Sequence, residues 1–377
     1  METKSKKQRI LPAGEFNVFL RVLQDAGYET IGPTVQDRTI VYDTIVSSSD
    51  LPAGWTDEQA AGSYEIRKTG KSLLFDFNVG PHAWKKYLHR ADLLLWRAKT
   101  NGSGFSIQEE DDSPSKKAFI GVRACEVAAI QKQDKIFLKS QFTDSAYQKR
   151  RANTLIVAVN CTKAGGNCFC ASMNTGPSVL SGFDFALTEI LDDKRHFFVV
   201  EHGSKLAEEL LNKMPKLEEA SAKECALVRE KMNEVSENMG KEVDTKDIKQ
   251  LFYDHYDDHI WDEIATRCMN CANCTMVCPT CFCTTMEDVT NLTGTEAERW
   301  RRWDSCFTMD FSYIHGGSVR PSDSTRYRHW ITHKFAAWHD QFEESGCVGC
   351  GRCITWCPVG IDVTKEIKNL RKSKATV

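Results

Sequence analysis

No apolar run in this 377-residue sequence approaches the roughly 20 residues needed to span a bilayer. The best stretch, Thr154 to Val159, suits a buried strand instead. The basic start from Met1 to Ile10 leads into no apolar h-region, so no secretory signal is expected. A formal net charge of −3 leaves no basic footprint of the kind nucleic acid requires. No P-loop is present, and Asn101-Gly-Ser-Gly is too short and badly placed to be a dinucleotide fingerprint. A nucleotide or flavin site within the chain is therefore not expected. The ten histidines fall into no catalytic pattern. These absences lead to an expectation of a soluble, cytoplasmic chain with no nucleic-acid partner and no membrane span.

Cysteine is abundant: sixteen residues, clustered at metal-type spacings in a large chain, which points to a reducing compartment rather than a disulfide scaffold. The pattern Cys-x-x-Cys-x-x-Cys-x-x-x-Cys-Pro occurs twice. The first copy is Cys268, Cys271, Cys274 and Cys278; the second is Cys347, Cys350, Cys353 and Cys357. This is the spacing of bacterial ferredoxins, in which three thiolates of a run cap one [4Fe–4S] cluster and the fourth ligates the other. Two clusters are expected, one on Cys268, Cys271, Cys274 and Cys357, the other on Cys278, Cys347, Cys350 and Cys353. Paired zinc sites or disulfides are the bland alternatives, but zinc ribbons use isolated Cys-x-x-Cys pairs. The second loop contains glycines that free backbone N–H groups, and Arg352 adds a positive charge. Its cluster is expected to be the easier to reduce.

Cys125, Cys161, Cys168 and Cys170 form a further set. Cys125 and Cys161 follow the apolar segments Ala118–Val122 and Thr154–Val159. If these are adjacent parallel strands, their carboxyl ends adjoin, where open α/β sheets place ligands. The expectation is a third cluster on these four thiols; the alternative is ordinary buried cysteine. Cys281 and Cys283 are read either as alternative ligands or as neighbours packing beside the first cluster loop. Cys225 and Cys306 have no partner at metal spacing and are read as structural.

The fold class expected is α+β, multidomain. An N-terminal α/β domain with a mixed sheet covers residues 1–214, a helical linker of one or two amphipathic helices 215–266, and a dicluster ferredoxin-like domain 267–377, with a long insert at 284–346. Helices are expected at Glu15–Ala26, Glu126–Leu138, Phe183–Leu191 and Ser204–Met214. Strands are expected at Lys71–Phe77 and His196–Val200 as well as the two named above, with loops at 101–104 and 109–117. The insert is rich in aromatic and basic residues: Trp300, Arg301, Arg302, Trp303, Phe307, Phe311, Tyr313, Arg320, Arg326, Tyr327, Arg328, Trp330, His333 and Trp338. It reads either as a satellite core or as a docking surface, the second being favoured because such residues are enriched at interfaces.

Several motifs, in order, resemble the beta subunit of cytosolic NiFe sulfhydrogenases; the dicluster subunit of anaerobic sulfite reductase is a relative of the same design. They are Gly121-Val-Arg-Ala-Cys-Glu, Asn167-Cys-Phe-Cys-Ala-Ser-Met-Asn-Thr-Gly-Pro, Cys278-Pro-Thr-Cys-Phe-Cys, Trp303-Asp-Ser-Cys-Phe-Thr, and the run from Ser345 to Asp362. The likeness extends from about residue 117 to 367. Ala124-Cys125-Glu126 stands where the family pattern has Pro-Cys-Asp. The resemblance implies a non-catalytic relay. On one side stands a flavin- and NAD(P)-binding partner of diaphorase type. On the other stands the small subunit of a NiFe hydrogenase, with its large subunit beyond. A sulfite or sulfur reductase is the alternative destination, and a redox-sensing regulatory protein the alternative class.

Overall fold

The computed structural model describes residues 8–78, 80–100, 102, 104–109 and 113–373. The loop readings at 101–104 and 109–117 lie partly outside these residues. The fold is mixed α/β. Its main sheet has eight strands in the order Glu218–Glu219, Arg9–Pro12, His196–His202, Phe185–Leu191, Thr154–Val159, Lys117–Val122, Glu29–Gln36 and Thr39–Thr44. The four strands from Phe185–Leu191 to Glu29–Gln36 pair in parallel and the flanking strands antiparallel. Central parallel strands are covered on both faces and so read as continuous apolar runs. Lys117–Val122 and Thr154–Val159 follow this rule, each buried from its second residue to its last. They are direct neighbours, with Val122 opposite Ala158.

The helix expected at Phe183–Leu191 is instead the strand Phe185–Leu191. A short run buried on both faces gives helix and strand the same apolar signature, so periodicity could not separate them. The strand expected at Lys71–Phe77 is irregular chain. Its backbone finds partners other than a neighbouring strand. The Glu189 carboxylate accepts from the Leu74 and Phe75 amides at 2.7 and 2.9 Å, and the Arg123 guanidinium donates to the Phe75 and Phe77 carbonyls at 2.8 and 2.6 Å. Leu74, Phe75 and Phe77 are buried in the core under the sheet.

Residues 215–266 contain three helices, Ala222–Glu237, Ile248–Asp254 and Ile260–Ala265, where one or two were expected. The first opens on a capping box between Ser221 and Glu224, which satisfies two otherwise orphaned backbone donors. No helix among the described residues is long and apolar enough to cross a membrane.

The segment between the two cysteine runs starts with strands Thr284–Thr290 and Glu296–Trp303. These join Asp92–Thr100 and Phe105–Glu109 in a four-stranded antiparallel sheet, so chain from the carboxyl-terminal half completes a sheet begun near residue 92. A helical stretch follows, Asp323–Thr332, a π-turn at His333–Ala337, and Trp338–Phe342. Phe307, Tyr327, Trp330 and Trp338 are only 3, 2, 5 and 1% exposed. Phe307, Tyr327 and Trp330 pack with Phe252, Trp261 and Ile354 in a second core against the cysteine loops. These four aromatics of the expected docking surface are core instead, while Tyr313 of the same set is 63% exposed.

Candidate metal centres

The two cysteine runs fold into matching loops. Asn270 and Ala272 take left-handed backbone at φ 50° and 63°, and Gly349 and Gly351 occupy the equivalent places at φ 64° and 74°. Such turns reverse the chain between successive cysteines and point the thiols to one side. Each loop then enters a single helical turn, Asn273–Met276 and Arg352–Thr355.

Two cavities lie under these loops, and their linings interleave the runs. One is lined by Cys268, Cys271, Cys274, Cys353 and Cys357. The other is lined by Cys278, Cys347, Cys350 and Cys353. Apolar residues such as Phe307, Trp330 and Val363 fill the walls, with Trp330 and Val363 between the two. A cubane takes one thiolate at each of four irons, so its ligands stand apart around a hollow. A single tetrahedral ion draws its ligands to one point, and among the described residues no three His, Cys, Asp or Glu side chains converge in that way. The donor set and the hollows fit [4Fe–4S] clusters.

The thiols are buried differently. Cys350 is buried, whereas Cys271 is exposed and its neighbour Met269 is 65% exposed. Burial pushes the Cys274 and Cys353 thiols up, reinforced by charge on the surrounding cysteines. Cys278 goes the other way: a hydrogen bond from Cys281 holds it well below the usual thiol range, and Lys334, Thr280 and Lys85 add to this.

Cys125, Cys161, Cys168 and Cys170 come together where the strands Lys117–Val122 and Thr154–Val159 end. Cys125 sits in the first turn of the helix Ala124–Phe137, and the other three follow Thr154–Val159 in one loop. Burial pushes the Cys125 thiol up, and Cys170, Cys350 and Cys161 act on it as neighbours. Cys168 is pushed up to about 12 by burial and by Cys161. Cys350 belongs to the second loop, and it packs in one buried cluster with Cys125 and Cys170. The third cysteine set thus lies directly against the second cavity.

Two relationships escaped sequence reasoning. Cys306, without a partner by spacing, lies beside Cys283. The pairing of Thr284 with Trp303 brings them together, and no local signal announces that register. Arg352 is fully buried and pairs with Glu126 at 2.8 Å, and its positive charge also acts on Cys350 of the second site. Its guanidinium also donates to the Gly80 and His82 carbonyls at 2.9 Å each.

Residues 267–361 match the 4Fe-4S dicluster domain family. Sulfhydrogenase 2 subunit beta of Pyrococcus furiosus is 33% identical over 284 residues, which cover 71% of this chain and 79% of that protein. No solved structure matches. With its interleaved cysteine loops and this likeness along most of its length, the chain belongs to the family of iron–sulfur beta subunits of sulfhydrogenases.

Proposed function

We propose that this chain is a non-catalytic electron relay of a hydrogenase complex, carrying two [4Fe–4S] clusters in its carboxyl-terminal loops and a third beside them. Cys268, Cys271, Cys274 and Cys357 hold the first; Cys278, Cys347, Cys350 and Cys353 the second; Cys125, Cys161, Cys168 and Cys170 the third. The observation that carries this reading is the division of eight cysteines between two cavities, each fed by both loops. When bound, such clusters each accept and release one electron at a time.

The chain's own residues supply spacing, burial and charge. Cys353 lines both cavities, which sets the first two sites side by side. Cys350 borders the third set, so the second site adjoins both of the others. The exposed Cys271 and Met269 put the first site at the surface, where a partner's redox centre can approach. The buried Phe169, Phe335 and Val348 wall the second, whose Cys347 also borders an open cavity. The partners are a flavin- and NAD(P)-binding protein together with the small and large subunits of a NiFe hydrogenase, and the hydride and hydrogen chemistry is theirs. A hydride donor delivers two electrons together, so a flavin between it and this chain divides the pair. All sixteen cysteines are free thiols, which accords with a cytoplasmic setting.

The test is anaerobic purification of the whole complex with iron, nickel and flavin analysis, followed by cysteine-to-serine exchange. Cys125→Ser or Cys170→Ser should remove one cluster's iron and leave the signals of the other two. Unchanged iron in both variants would eliminate the third site, and zinc in place of iron would eliminate all three.

A further inference from the structure

Resting on the dicluster reading, we propose that Lys334 is a positioning residue of the second site: its buried ammonium raises the reduction potential of the cluster on Cys278, Cys347, Cys350 and Cys353. Lys334 is 4% exposed and lines that cavity together with the four cysteines. Among the described residues it makes no ion pair with a carboxylate. Its amine donates to the Thr280 hydroxyl at 2.6 Å, and Thr280 in turn donates to the Gly346 carbonyl at 2.7 Å. The Thr280 hydroxyl stands 3.3 Å from the Cys278 sulfur. The Lys334 carbonyl accepts from the Gly346 amide at 2.7 Å and the Ser345 hydroxyl at 3.1 Å. One residue thus clamps the end of the first cysteine run to the start of the second.

A buried ammonium without a counter-ion is strongly disfavoured. The local structure nevertheless goes out of its way to place this one. Lys334 falls in the π-turn His333–Ala337, inside an otherwise α-helical stretch. Such turns are rare and occur often at functional sites, because the extra residue redirects the side chains of that turn. The compensating charge is anionic sulfur: thiolates, and the cluster they bind. A fixed positive charge next to a centre that gains negative charge on reduction favours the reduced state. The buried cation on the second loop itself, Arg352, shares its charge with Glu126 and acts on Cys350. The expected order, with the second cluster the easier to reduce, then rests on Lys334 beside Cys278 in addition to Arg352 beside Cys350.

The experiment is an EPR-monitored redox titration of the anaerobic complex carrying Lys334→Met or Lys334→Gln, with iron counted in each. One cluster's reduction equilibrium should weaken at least tenfold, equivalent to about 59 mV for one electron, while the others hold. Potentials unmoved in a variant with full iron would overturn the proposal. Loss of that cluster's iron in both variants would overturn it too, assigning Lys334 to cluster assembly. A wild-type complex whose chain carries no reducible iron would instead sink the dicluster reading beneath it.

Discussion

The Phe169 amide donates to the Gly349 carbonyl at 2.8 Å, joining the loop of Cys168 and Cys170 to the loop of Cys347 and Cys350. Around this bond the two backbones lie in contact. A Cβ at position 349 would stand 2.6 Å from the Phe169 carbonyl oxygen, and one at 351 would stand 2.3 Å from that of Asn167. Thr175 adds a hydrogen bond to the Val348 carbonyl at 2.7 Å. The third cysteine set is therefore built onto the second loop, and neither can move without the other.

Gly349→Ala should accordingly be severe. The obstacle is backbone, which cannot swing aside, and the left-handed conformation adds strain, for a total above about 3 kcal/mol. Gly294→Ala is the control, since Gly294 has φ 68° with nothing within 4 Å of a new Cβ; it should cost only about 1–2 kcal/mol. Thermal unfolding and iron content of the anaerobic complex measure both. Equal melting temperatures would show that the two loops are not in contact.

Ala272 holds the place in the first loop that Gly351 holds in the second, at φ 63°. Ala272→Gly relieves about 1–2 kcal/mol of left-handed strain. It gives back about 0.4–1 kcal/mol in unfolded-chain entropy, and part of a half-buried methyl worth up to about 0.8 kcal/mol. The net should lie within about 1 kcal/mol of zero. A large loss of stability or of iron would mean that the methyl group does more than pack.

These contrasts mark what could be read from sequence and what could not. Cysteine spacing is local, so it indicated the two loops, and the strand ends marked where Cys125 and Cys161 would meet. Gly349 was visible as a glycine, but its reason is Phe169, nearly half the chain away. The Phe185–Leu191 strand was misread because burial on both faces erases the alternation that marks a strand. Lys334 looked like one lysine among many; only the π-turn and the cavity distinguish it. Arg352 looked free because Glu126, its partner, lies in another element.

Glu126 and Arg352 are 1% exposed each, and they tie the helix bearing Cys125 to the loop bearing Cys350 and Cys353. Tyr42 donates to the same carboxylate at 3.0 Å. Glu126→Gln leaves a buried guanidinium without its counter-charge and should cost about 3–5 kcal/mol. The double variant Glu126→Gln with Arg352→Met should be less damaged than the two single changes together. Additive losses in denaturant melts would show that the pair is not coupled.

His89 should make the folded chain acid-sensitive. It is 1% exposed, lies against Phe137 at 4.8 Å between ring centroids, and neither ring nitrogen has a hydrogen-bond partner among the described residues. Burial, with Arg301 and Lys85 nearby, pushes its pKa down from 6.5 to about 3. Between those values the unfolded chain binds a proton that the folded chain refuses, so stability is full above about 6.5 and falls with pH. Each unit in that window costs about 1.4 kcal/mol. His89→Phe keeps the ring and removes the proton site. The gap in melting temperature between pH 7 and about pH 5.5 should narrow in this variant; an unchanged gap would place the acid sensitivity elsewhere.

The first and second sites should differ in their resistance to air. Oxidants and chelators reach a cluster through solvent, and exposure together with thiolate character governs cysteine oxidation. Cys271 is exposed, and Met269 and Val359 beside the first cavity are 65 and 42% exposed. Around the second, Cys350 is 8% and Val348 2% exposed and the buried Phe335 and Phe169 line the cavity, while Cys347 also borders an open cavity. On controlled exposure to air, Cys271 should become open to alkylation several-fold sooner than Cys350, with the EPR signal decaying in two phases. Lys334→Met should leave this order intact, because it alters charge and not access. Simultaneous labelling of both loops would mean that the two sites open as one unit, and that burial around the second gives it no separate protection.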